Sequence, residues 1–97
     1  MIDTYDVKVL PFNDSLGYPQ RQRVILNKVV YDLFYRWNQT GFATLEIERV
    51  IDKVAIWNGK LTVGWGGAIP APVTHLPLFY IYTNSVTKTG CEIWVAW

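Results

Sequence analysis

Residues 29–50, "VVYDLFYRWNQTGFATLEIERV", decide the fold. Residues 29–37 are rich in β-branched and aromatic side chains and alternate with a period of two. Asn38–Gly41 is a turn, because Asn and Gly tolerate the positive φ that a tight reversal needs. Residues 42–50 alternate again. This is the signature of a β-hairpin. Its first strand raises a question: Tyr31, Leu33, Tyr35 and Trp37 share one face, yet Val30 and Phe34 load the other. Either the second face is packed inside the protein or a partner covers it.

The same reading extends outward. Strands are predicted at 5–10, 21–27 and 29–37, with Asn27-Lys28 turning between the last two. Pro11–Pro19 carries Asn, Asp, Ser and Gly and is loop. Segment 45–57 has some helical periodicity, but its Ile and Val content and the Glu46/Glu48 alternation divide it into two strands with a turn at Asp52-Lys53. Residues 53–57 and 60–65 read as a second hairpin across Asn58-Gly59. Residues 66–77, with three prolines and two glycines, read as a long loop. Strands at 78–83 and 91–97 flank a turn region at 84–90. The fold class is all-β: a small sandwich or partly closed barrel of about eight short, mostly antiparallel strands. The 97 residues form one domain, 1–97.

Composition narrows the function. Charged residues are 18% of the chain and the formal net charge is +1. The basic residues are scattered, and only Arg21 and Arg23 lie close together. Nucleic-acid binding needs a clustered excess of positive charge, so no nucleic-acid partner is expected. No apolar run approaches the ~18 residues of a membrane helix. The single cysteine, Cys91, excludes an internal disulfide. Asp3 and Asp6 stand where a signal peptide would be basic and then apolar, so the chain is expected to stay in the cytosol where it is made. The Asn13-Asp14-Ser15 and Asn38-Gln39-Thr40 sequons are then chance matches.

Catalytic and metal-binding patterns are missing. His75 is the only histidine and has no partner at metal-ligand spacing. "GWGGA" (64–68) opens onto Ile-Pro-Ala-Pro rather than a helix, so it is a tight corner and not a phosphate cradle. Glu46 and Glu48 lie on one strand face, the solvated face opposite Leu45 and Ile47, within reach of Arg36 as a cross-strand pair. No enzyme activity, cofactor or metal is expected. What remains is an unusual load of rings: five Trp, six Tyr and four Phe. Such rings dominate interface energies. The candidate interface residues are Trp37, Trp65, Ile69, Leu76, Tyr80 and Trp97, at strand ends or beside the proline loop. A final strand ending on Trp97 needs either pairing in a sheet or cover from another chain.

The stretch "QRVILNKVVYDLFYRWNQTGFATLEIERVIDKVAIWNGKLTVGW" (22–65) resembles the phage baseplate plug family, small all-β proteins of contractile-tailed phages. The shared pattern is Val24-Ile25-Leu26, a short turn to Tyr31 and Leu33, and then Tyr35-Arg36-Trp37-Asn38. After a glycine turn come Leu45-Glu46-Ile47 and, following a further short strand, Leu61-Thr62-Val63-Gly64. A proline-containing loop and a C-terminal strand complete the plan. The chain departs from the family at Ala43, beside Phe42, where a tryptophan tends to open the Leu-acid-Ile strand. It departs again at Ile93 and Trp94, in place of Leu and Tyr. The resemblance implies a structural part of the virion tail baseplate, assembled in the bacterial host cytoplasm. It would contact other baseplate, tube or spike proteins, with self-association as a further mode. The competing expectation is a β-sandwich module that binds carbohydrate or a cell-surface ligand through its rings.

Overall fold

A computed structural model describes residues 6–70 and 77–97. Two four-stranded antiparallel sheets pack face to face as a sandwich. The strands are β1 (Val7–Val9), β2 (Gln20–Leu26), β3 (Val29–Asn38), β4 (Phe42–Arg49), β5 (Val54–Lys60), β6 (Gly66–Pro70), β7 (Pro77–Thr87) and β8 (Gly90–Ala96). One sheet has the order β2-β3-β4-β5, the other β1-β8-β7-β6.

The first sheet is a meander fixed by local turn chemistry. Asn27 and Lys28 both have positive φ, as a two-residue hairpin turn requires, and Leu26 pairs with Val29. At the next turn, Asn38 Oδ1 accepts hydrogen bonds from the Thr40 amide and hydroxyl, and Gly41 takes the positive φ. Lys53, also at positive φ, closes the turn into β5.

The core lies between the sheets. Tyr31, Leu33, Tyr35, Leu45 and Ile47 from the first sheet meet Phe79, Ile81, Ile93 and Val95 from the second, all buried. Tyr31 and Phe79 touch across the interface edge to face, with ring centroids 5.6 Å apart. At one end the 11–19 loop closes the sandwich. Phe12 stands edge-on to Tyr35 at 5.0 Å, and Tyr18 leans on Trp37 at 5.6 Å. The Gln20 side chain ties this loop down through the Asn13 amide and the Asn13 and Gly17 carbonyls.

Three local expectations are corrected. Asn58-Gly59 is not a turn: β5 runs straight through it, with Asn58 opposite Glu46 and Gly59 opposite Leu45. Glycine serves there because the Trp57 indole lies over it; a Cβ would meet the ring at 2.9 Å. The chain instead changes sheets over residues 61–65, where Gly64 has positive φ and donates its amide to the Thr83 carbonyl. Second, Gly66–Pro70 is not loop but the outer strand of its sheet, the place where a strand tolerates proline. Third, the turn expected at 84–90 shrinks to Lys88-Thr89. β7 continues to Thr87 because a register shift between Thr83 and Ser85 absorbs the extra residue.

Candidate functional site: an aromatic sheet face

The two outer faces treat their rings differently. On the β2-β3-β4-β5 sheet, Asp32 and Phe34 point outward from the second strand, and the domain covers them itself. The Arg21 and Arg36 guanidinium groups lie over the Phe34 ring at 5.3 and 5.7 Å. Lys60 lies over Phe42 at 4.8 Å. Arg23 and Arg21 reach Asp32 at 2.7 and 2.6 Å and bury its carboxylate. The double-sided loading of β3 therefore has an internal explanation: one face is core and the other is roofed by arginine. Arg36 sits opposite Thr44 rather than opposite either glutamate.

On the outer face of the β1-β8-β7-β6 sheet the rings lie beside Glu92, which shares a side of β8 with Trp94. Register places two rows across this face. One runs Val9, Trp94, Tyr82, Gly66; the other runs Val7, Ala96, Tyr80, Ala68. No member of either row is charged. Val7 is 66% exposed, Val9 49%, Tyr80 44%, Tyr82 43% and Trp94 42%. Tyr82 and Trp94 lean on each other, with centroids 6.5 Å apart and planes tilted by 55°. β1 is the telling strand. It alternates as expected, but Val7 and Val9 turn outward instead of into the core. A contiguous apolar patch on a sheet face is a candidate interaction surface.

The sequence-predicted residues divide. Tyr80 stands in the second row. Trp65 is exposed and stacks on Trp57, with centroids 5.7 Å apart and planes at 24°. Trp37 and Trp97 are half-buried and pack against the core. Trp97 also exchanges backbone hydrogen bonds with Asp6, so the final strand is paired on both sides. Ile69 lies on β6 opposite Phe79. Leu76 and His75 lie outside the described residues. Val7, Val9, Tyr82 and Trp94 were missed, although alternation about the buried Ile81 and Ile93 would have found the two rings.

A shallow hollow of about 520 Å³ beside the β7–β8 turn is lined by Phe12, Asp14, Ser85, Thr87, Thr89 and Glu92, among others. Its polar groups are partly spent on structure: the Thr87 hydroxyl accepts the Gly90 amide, and Glu92 accepts from Asn84. Cys91 also borders it. Burial, with Asp14 nearby, pushes the Cys91 thiol up to about 11. At pH 8 iodoacetamide is expected to label Cys91 in the folded protein more than tenfold slower than in the urea-unfolded chain. Equal rates would contradict this burial. Among the described residues, no three of His, Cys, Asp and Glu gather as a metal-binding group.

Searches against protein-family models, curated proteins and solved structures find no match to this chain.

Proposed function

We propose that this protein is a structural assembly component, a plug-type part of a contractile phage tail baseplate, that acts through protein–protein contact. The observation that carries the docking role is the pair of uncharged rows across the outer face of β1-β8-β7-β6, where Val7, Val9, Tyr80, Tyr82 and Trp94 are each more than two-fifths exposed, with Glu92 at their border on β8. Aromatic residues are enriched, and charges depleted, at the centre of interfaces. The baseplate assignment rests on the resemblance of residues 22–65, most of which build the opposite sheet. In this reading one sheet is a self-contained scaffold and the other presents the contact surface. A carbohydrate-binding module is the second reading, favoured by three rings on one face. The 55° tilt between Tyr82 and Trp94 stands against it, because a sugar chain stacks best on rings that share a plane.

The test begins with the DNA on either side of the gene. Neighbours encoding tube, spike and baseplate wedge proteins are expected, and at least one of their products binds the purified chain. Trp94→Glu weakens that binding by tenfold or more while leaving the far-UV circular dichroism unchanged. Metabolic neighbours, with no binding to tail proteins, would overturn the proposal. Binding to a glycan array that Trp94→Glu abolishes would favour the second reading.

A further inference from the structure

We infer that the β2-β3 half of the other sheet holds a binding site for a phosphate group, as a monoester or as the free ion, gripped by Arg21 and Arg36 beside the Phe34 ring. The site lies across the domain from the docking face and does not depend on the assembly role.

Three observations carry it. First, the two cations are gathered and held. Arg21 stands opposite Phe34 in the register, and Arg36 follows Phe34 by two residues on β3, so the three side chains share one sheet face. The Phe34 ring holds both guanidinium groups, at 5.3 and 5.7 Å from its centroid. Two long side chains are thus ordered before any ligand arrives, which lowers the entropy lost on binding. An anion between them also offsets their mutual repulsion.

Second, their donors are unspent. Arg21 gives one hydrogen bond, to Asp32 Oδ2. Arg36 makes no hydrogen bond or ion pair among the described residues. A guanidinium carries its N–H donors in a planar fork that matches the oxygens of an oxyanion. The two groups line a hollow of about 340 Å³ together with Pro19, Gln20, Phe34 and Tyr35. The other polar side chains there are already used. The Gln20 amide serves Asn13, Gly17 and Gln22, and the Tyr35 hydroxyl donates to Pro11. The hollow therefore offers side-chain donors and no unspent side-chain acceptor, which suits an oxyanion.

Third, the charge selects among oxyanions. Arg21, Arg23 and Arg36 meet a single carboxylate, Asp32, which is buried beneath its own arginine donors. Three cations against one anion leave a surplus of two. Glu46, opposite Phe34 on β4, is the hydrogen-bond acceptor of Asn58 on β5 and does not border the hollow. A carboxylate would match half of the surplus. A phosphate monoester or free phosphate, close to doubly ionised at neutral pH, matches it. A phosphodiester of a nucleic-acid backbone, singly charged, does not.

Titration of inorganic phosphate into the isotope-labelled full chain, with the arginine Nε–H signals followed by NMR, tests this. The Arg21 and Arg36 signals are expected to shift and saturate with a dissociation constant on the order of 1 mM, while sodium chloride at matched ionic strength moves neither. Affinity is expected to fall between pH 7 and pH 5, because phosphate takes up its second proton near pH ~6. Arg36→Gln is expected to weaken binding about tenfold, and Arg36→Lys, which keeps the charge and loses the fork, about threefold or more. Lys88→Gln removes the same charge from an exposed position on the β7–β8 turn and is expected to change binding by less than about twofold. The wild-type titration decides the matter even where a variant misfolds. A response that never saturates, that chloride reproduces, that acetate matches in affinity, or that Arg36→Gln and Lys88→Gln reduce equally would overturn the inference. Phenyl phosphate separates the two sources of the ligand: tighter binding than inorganic phosphate supports an organic monoester, and equal or weaker binding supports the free ion.

Discussion

Replacing Leu45 with alanine is expected to lower the stability of this domain by about 3–4 kcal/mol, near the upper part of the range for leucine truncation in cores. Leu45 has no exposed surface and sits mid-strand in β4. Its cross-strand neighbours are Tyr35 on one side and Gly59 on the other. Gly59 has no side chain of its own, and the Trp57 indole that lies over it is held by stacking on Trp65. Tyr35 is held by its hydroxyl, which donates to the Pro11 carbonyl at 2.9 Å. The cavity therefore stays largely open. A domain of this size has only about 5–15 kcal/mol in total, so the melting temperature is expected to fall by roughly 15–20 °C. Urea denaturation checks it: the midpoint falls and the slope stays constant. Leu45→Met, which conserves volume, is expected to cost less than about 1.5 kcal/mol. A loss below 1 kcal/mol for Leu45→Ala would show that the surroundings collapse into the gap.

The turns that use positive φ were legible in the sequence where the residues on both sides alternate in a compatible register. Asn27-Lys28 and Asn38–Gly41 are such cases, and together they specify most of the first sheet. Asn58-Gly59 carries the same chemistry and misleads, because a local rule does not contain Trp57. The indole needs a residue without a side chain beneath it, and the strand continuing past Gly59 pairs along β4. Proline misled in the opposite direction. Pro70 ends β6, on the sheet's outer edge, where a missing amide leaves the interior ladder intact. Edge position is a property of topology, and no window of sequence shows it.

The candidate face was half legible. Alternation in "LFYIYT" and "CEIWVAW" assigns Tyr80, Tyr82 and Trp94 to one side once Ile81 and Ile93 are known to be core. Val7 and Val9 were not legible, since an alternating strand is ordinarily read with its apolar set inward. The arginine roof was readable in principle. Counting outward from the two-residue turn, Arg23 falls opposite Asp32 and Arg21 opposite Phe34. That pairing changes the meaning of the ring-rich β3: the aromatic load there is satisfied within the chain, and the exposed rings of Tyr80, Tyr82 and Trp94 lie on the other sheet.

Asp32 supplies the second large effect, and its sign depends on pH. Hydrogen bonds from Arg23 and then Arg21 lower its carboxyl from the ordinary value of 3.8 to about 2. A carboxylate with a depressed folded-state pKa contributes stability that is fully present above the unfolded value and is lost as pH falls through the folded one. The arginine side chains are 60% and 57% exposed, so solvent screening limits the contribution to about 1–2 kcal/mol. Asp32→Asn is therefore expected to be about 1–2 kcal/mol less stable than wild type at pH 7, with the gap narrowing below pH 4 and closing near pH 2. Urea denaturation at pH 7, 4 and 2.5 measures it; a gap that stays constant with pH would assign the effect to packing instead. The arginine side of the pair behaves differently from a buried ion pair. The cover on Asp32 is built from its own partners, so removing Arg21 and Arg23 together lets water reach the carboxylate. The double variant Arg21→Ala/Arg23→Ala is thus expected to cost about the same as Asp32→Asn, well short of the ~3–5 kcal/mol that stranding a charge in a dry interior would cost. It also strips one guanidinium from Phe34 and leaves that ring under Arg36 alone, so it opens on this sheet a small apolar surface of the kind the opposite sheet already presents.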